Sequence, residues 1–189
     1  MDYGEIQSIN LARLLREGGT AEAKGEISGQ IELGNDTIAL QDKALWRVSV
    51  TSVGDDELWL SGEIAGNAVM ECRRCLDPTP TPVRAYFQHM LRYQLGLEHL
   101  EAVEEDEEEV FLFGKPDLEL APFLSEAFAL ELPYTTLCRE DCPGLCEFCG
   151  ANLKRAPQDC CPQRSQQGKE GKEGKLAEQL KKLDLEGIE

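Results

Sequence analysis

Six cysteines fall within 24 residues: Cys138, Cys142, Cys146 and Cys149 at C-x3-C-x3-C-x2-C, then Cys160 and Cys161. Thiolates are soft, strong ligands for zinc, and a C-x2-C pair lets one tight turn hold two sulfurs about 2.3 Å from a single ion. Gly150 follows the last of the four. Without a Cβ it can take the positive φ that turns backbone N–H groups back toward the sulfurs. Pro143-Gly144 marks a further turn inside the run. The spacing predicts one structural zinc ion on Cys138, Cys142, Cys146 and Cys149, with Cys160 or Cys161 as the alternative to Cys138. Disulfides and inert buried thiols compete with that reading. A second pair, Cys72-Arg-Arg-Cys75, has three readings: the other half of a zinc ribbon with Cys146 and Cys149, a redox dithiol, or two cysteines in a β-turn. The redox reading asks for a helix opening a βαβ unit, and Leu76-Asp77-Pro78 does not supply one.

The body that must position these thiols reads as β-rich. Trp46, Val48 and Val50 alternate with Arg47, Ser49 and Thr51 across a strand at 44–53, and Ile27, Ile31 and Leu33 share one side of another at 26–33. Further strands are expected at 37–40, 58–64, 67–71 and 83–93, with turns at Gly34-Asn35-Asp36, Gly54-Asp55-Asp56, Gly66-Asn67 and the Pro78/Pro80/Pro82 stretch. Strands at this spacing without intervening helices imply an antiparallel sheet or small barrel, so the fold class is α+β with a few short helices. A short helix is expected at 10–17, ended by Gly18-Gly19. A second carries Leu120, Phe123, Leu124, Ala127 and Phe128 on one face, is capped by Asp117 and is stopped by Pro133. The organisation is a body at 1–133, a cysteine-rich zinc segment at 134–163, and a flexible linker with a short amphipathic tail at 164–189.

The chain has 189 residues and a formal charge of −17, and the excess sits mid-chain: residues 98–137 carry 12 acidic groups and 1 basic group. Eight of these carboxylates lie between Glu98 and Glu109, read as a solvated acidic loop at 98–109 rather than a catalytic cluster. Nucleic-acid affinity rests on Lys and Arg displacing counterions along the phosphates, so this charge disfavours direct RNA contact and favours a basic protein partner. The first residues carry charges and no apolar h-region, and no run approaches a membrane span. These features make the expected location cytoplasmic. There, thiols are kept reduced and metal explains eight cysteines better than disulfides do.

Glu71-Cys-Arg-Arg-Cys-Leu-Asp77 after a β-rich half, Glu131-Leu-Pro133, and the run from Leu137 through Cys149-Gly-Ala-Asn-Leu153 together resemble the YceD family over about residues 5–161. The resemblance implies a bacterial or plastid protein needed for accumulation of large-subunit (23S) ribosomal RNA, often encoded next to a zinc-binding protein of the large ribosomal subunit. No catalytic activity comes with it. Family members commonly end in Cys-x-Cys, where this chain has Cys160-Cys161.

The leading expectation is a non-enzymatic ribosome-biogenesis factor that holds a basic ribosomal protein or a large-subunit assembly intermediate. The alternatives are a zinc-handling protein and an RNA-processing enzyme. The enzyme has little to work with: His89 and His99 are the two histidines, there is no phosphate-cradling glycine loop, and the thiols look committed to closed coordination.

Overall fold

The computed structural model describes residues 7–54, 56–105, 108–156, 160 and 161. The elements run β1 (Ser8–Asn10), α1 (Leu14–Glu17), β2 (Thr20–Ile27), β3 (Gln30–Leu33), β4 (Asp36–Ala39), β5 (Ala44–Ser52) and β6 (Glu57–Glu71). They continue as β7 (Pro78–Tyr93), β8 (Glu101–Glu105), β9 (Glu108–Phe113), β10 (Asp117–Glu119) and α2 (Ala121–Leu130). The α+β, mostly β expectation holds. Six strands form one mixed sheet in the order β2-β5-β6-β7-β9-β8, while β1 with β10 and β3 with β4 make two-stranded ladders. That order is open at β2 and β8 among the described residues, so the barrel alternative gives way to a sheet.

One pair, β7 with β9, is parallel, with Met90 opposite Val110 and Tyr93 opposite Phe113. Parallel neighbours need a crossover. Here the outermost strand supplies it: the chain leaves β7, runs out along β8 and returns antiparallel to it as β9, with Glu101 opposite Leu112 and Glu105 opposite Glu108. The expected acidic loop at 98–109 is therefore, in its described part, mostly strand. Its alternation is hidden in sequence because glutamates occupy both faces of an edge hairpin, and the apolar signal begins only at Val110.

Two expected turns are also strand. Gly66-Asn67 lies inside the continuous 15-residue β6. A Cβ at Gly66 would sit 2.7 Å from that of Ala44, so this glycine lets two backbones approach rather than turning one. Pro78, Pro80 and Pro82 lie inside β7 at every second position, opposite Glu71, Val69 and Asn67. Same-parity residues face the same edge, so the three missing N–H donors fall on one side, and the ladder to β6 survives on the other. Thr79, Thr81 and Val83, which alternate with them, are buried.

The reading of 26–33 as one strand also divides. The chain breaks at Ser28 and Gly29 between β2 and β3, and β3 pairs back on β4, with Gln30 opposite Ala39 and Ile31 opposite Ile38. Helix α1 is shorter than expected because Asn10 belongs to β1. Its Nδ2 donates to Asp117 Oδ1 at 2.6 Å, while its own Oδ1 accepts from the amide of Ala12. Asp117 is thus a β10 residue and not a helix cap. Helix α2 begins instead just after Leu120, with Pro122 in its first turn. The α2 stripe itself is as expected, with Leu120, Phe123, Leu124, Ala127 and Phe128 all buried. Phe123 anchors it: its ring meets Phe111 edge-on at 5.0 Å and stacks with Phe87 at 6.5 Å.

The chain divides into two compact units, Met1–Cys72 with Pro78–Cys138, and Arg73–Asp77 with Arg139–Glu189. The first holds the sheet and both helices. The second contains the short stretch Arg73–Asp77, which the sequence reading assigned to the body. The linker and amphipathic tail expected at 164–189 lie outside the described residues.

Candidate metal centre

Each C-x2-C pair is a tight turn closed by a residue in the left-handed region: Leu76 with φ 60° after Cys75, and Gly150 with φ 70° after Cys149. The second turn is fixed by the amide of Gly150 donating to the Cys146 carbonyl at 2.8 Å and by the amide of Cys146 donating to Ala151 O at 2.8 Å. Gly150 therefore takes the positive φ expected of it. The amides of Cys149 and then Phe148 point at the Cys146 sulfur and favour its thiolate. Together they draw its pKa from 9.0 down to about 6 against the opposing effect of burial. A thiolate at neutral pH is the form that binds metal.

Local polar contacts build the second unit around this turn. Arg74 Nη1 donates to the carbonyls of Glu140 at 3.0 Å and Cys142 at 3.1 Å. The Asp77 carboxylate accepts from Lys154 Nζ at 2.7 Å, Asn152 Nδ2 at 2.9 Å and Arg155 Nη2 at 3.2 Å. Asn152 Nδ2 also reaches Cys75 O at 3.3 Å. The hydrogen bond from Lys154 is the largest influence holding the Asp77 carboxyl below its ordinary value of 3.8. So the five residues Arg73–Asp77 are tied by both ends to the run that follows Cys138, through one guanidinium and one carboxylate. In the first unit, Cys72 bridges to Thr136, whose hydroxyl oxygen is 3.1 Å from Thr81 Oγ1.

Within the second unit, Cys146, Cys149, Cys160 and Cys161 form a group of four whose sulfurs lie within 4.8 Å of one another. Of the predicted set of Cys138, Cys142, Cys146 and Cys149, the last two belong to this group, together with Cys160 and Cys161. Arg74 gathers the Glu140–Cys142 backbone, and the Pro143-Gly144 turn, with Gly144 at φ 77°, lies between Cys142 and the turn that begins at Cys146. Cys160 and Cys161, expected as alternatives to each other, are both members of the group. On an extended strand adjacent side chains point to opposite faces, but here the chain bends and both sulfurs join one group.

No disulfide joins any of the eight cysteines. Cys146 Sγ is 3.7 Å from Cys161 Sγ, and Cys149 Sγ is 3.6 Å from Cys160 Sγ. Four sulfurs arranged tetrahedrally at about 2.3 Å from one ion stand about 3.8 Å apart, whereas a disulfide needs about 2.05 Å. The donor set and its spacing fit a tetrathiolate metal centre.

A family profile described as large ribosomal RNA subunit accumulation protein YceD matches residues 60–184, a span that includes all eight cysteines. The chain belongs to the YceD family. Similar proteins include uncharacterized proteins of Mycobacterium bovis and Mycobacterium tuberculosis. Each is 34% identical over 153 residues, covering 79% of this chain and 72% of the relative. An uncharacterized protein of Mycobacterium leprae is 34% identical over 108 residues, 57% of this chain and 48% of its own length. No solved structure matches this YceD family member. Among its described residues no helix is long and apolar enough to cross a membrane.

Proposed function

We propose that this YceD family member is a non-enzymatic cytoplasmic factor of ribosome biogenesis. In this reading it supports accumulation of large-subunit (23S) ribosomal RNA by holding a basic ribosomal protein or a precursor particle. The observation that carries it is the family match over residues 60–184, whose description names large-subunit RNA accumulation. The charge of the edge hairpin supports a basic partner. Glu104 faces Glu109 and Glu105 faces Glu108 across the strands. Like charges directly opposite each other weaken a sheet. Arg92 bridges Glu105 at 2.8 Å and Glu57 at 3.0 Å, which relieves only the second of these pairs. A cationic partner surface would relieve both.

Action by contact is supported by how the reactive side chains are used. His89 lies half-buried among aromatic rings, 4.9 Å from Phe111 and 5.3 Å from Phe123, and burial lowers its pKa below 6.5. Cys146, Cys149, Cys160 and Cys161 sit at metal-ligand spacing, which supports zinc as the resident ion. Zinc held there would serve as a structural crosslink. Structural zinc is worth on the order of 10–16 kcal/mol in small peptides, as much as a whole domain's stability of about 5–15 kcal/mol.

The test is affinity capture of the full chain at physiological salt with the bound material identified by mass spectrometry. Ribosomal proteins or large-subunit precursors among it are the expected outcome, and their absence removes the reading. A second reading, a zinc-handling protein, is favoured by one observation: Cys149 is exposed.

A further inference from the structure

We propose that Cys146, Cys149, Cys160 and Cys161 form a zinc site in their own right, and that this is the site through which the chain exchanges zinc with its surroundings. The inference does not depend on the assembly role. It follows from the spacing, chemistry and unequal exposure of these four thiols.

Spacing comes first. These four sulfurs lie within 4.8 Å of one another, with the Cys146–Cys161 edge at 3.7 Å and the Cys149–Cys160 edge at 3.6 Å. Both edges match the roughly 3.8 Å separation of sulfurs around one tetrahedral ion with bonds of about 2.3 Å. Ligands of a multi-iron cluster attach to different metal atoms and so stand farther apart. The donor set is all sulfur, which selects zinc over the oxygen-seeking magnesium and calcium ions. The chain makes the site from a C-x2-C turn closed by Gly150 and from two adjacent cysteines at a bend. The group is complete without any sulfur of the other four.

Exposure grades the four thiols. Cys146 and Cys161 are buried, Cys160 is half-buried and Cys149 is exposed. The short edges follow the same division. The Cys146–Cys161 edge faces inward and the Cys149–Cys160 edge outward. A chelator or acceptor protein takes zinc by inserting its own ligand as a protein sulfur leaves. That substitution needs a sulfur which incoming ligands can reach, and Cys149 and Cys160 provide it.

The experiment uses the full chain made in zinc-replete cells and purified under reducing conditions. Native mass spectrometry counts the ions, and the chromophoric chelator 4-(2-pyridylazo)resorcinol times their release. The expected result is a zinc ion held by these four thiols and captured promptly by the chelator. Cys149→Ala and Cys161→Ala should each lose that ion and its release phase. A metal-free unaltered chain, or zinc and its release phase undiminished in Cys149→Ala, would each overturn the proposal. Should a variant fail to fold, cobalt(II) titration of the unaltered chain after zinc removal decides the matter. Sulfur-to-cobalt absorption supports the site, and its absence overturns it.

Discussion

Glu104→Lys should make this protein more stable and its partner capture weaker, two effects that ordinarily do not go together for a surface substitution. In the native hairpin Glu104 lies directly opposite Glu109. A cross-strand pair of like charges costs roughly 0.2–1 kcal/mol, and a pair of opposite charges contributes a similar amount with the other sign. Reversing one charge therefore moves stability by about 0.4–2 kcal/mol, with about 1 kcal/mol as the central expectation at low salt. Both residues are exposed. At 1 M salt the Debye length falls to about 3 Å, so most of the gain should disappear. Urea unfolding at low and high salt measures this as a higher midpoint with an unchanged slope. Capture of basic ribosomal proteins by the same variant should fall at physiological salt, because the hairpin has exchanged an attractive charge for a repulsive one. A less stable variant would refute the pairing argument, and a more stable variant with undiminished capture would refute the assignment of the hairpin to a basic partner.

Three further outcomes follow from the same geometry. Phe123→Ala, which empties the contact of α2 with Phe111 and Phe87, should cost about 3–5 kcal/mol in urea unfolding. His89 has its pKa lowered chiefly by burial, against the raising influence of Glu109 and Glu126, so its contribution to stability is complete above its unfolded value near 6.5 and is lost as pH falls toward the folded value. The pH dependence of unfolding in that acid window should shrink in His89→Phe. Asp77→Asn should speed amide exchange across Asn152–Arg155 without touching the sheet core. Because the Asp77 pKa is lowered from 3.8, the native contact should be fully present at neutral pH and fail only as pH drops through that lower value.

What could be read from sequence was whatever repeats with a short period. The alternation through Trp46, Val48 and Val50 places β5, and the helical spacing from Leu120 to Phe128 places the buried face of α2, because side-chain direction at those positions is set by local geometry alone. Misreadings occurred where one residue type serves two purposes. Glycine at 66 marks a close backbone approach to Ala44 and not a turn, and three prolines sit in β7 because only its ladder to β6 needs donors at that end. Glutamate on both faces of β8 carries no alternation, so a strand there is invisible to a pattern search. The thiols show the same limit. That they could bind metal was legible from their spacing, but the second unit around them depends on Arg74 and Asp77, which hold Arg73–Asp77 to residues far along the chain. One local sign was available. Leu76 follows Cys75 as Gly150 follows Cys149, and both take positive φ, so the two C-x2-C turns are alike even though only one carries glycine.

The claim on which the account turns is that the thiols ligate metal rather than pair with one another or stand idle. X-ray absorption at the zinc edge of the full chain, purified from a reducing cytosol, tests it directly. The account predicts a shell of four sulfurs at about 2.3 Å around each zinc, with no nitrogen or oxygen ligand. A metal-free chain with oxidised cysteines, or zinc in a mixed nitrogen and oxygen shell, would contradict it.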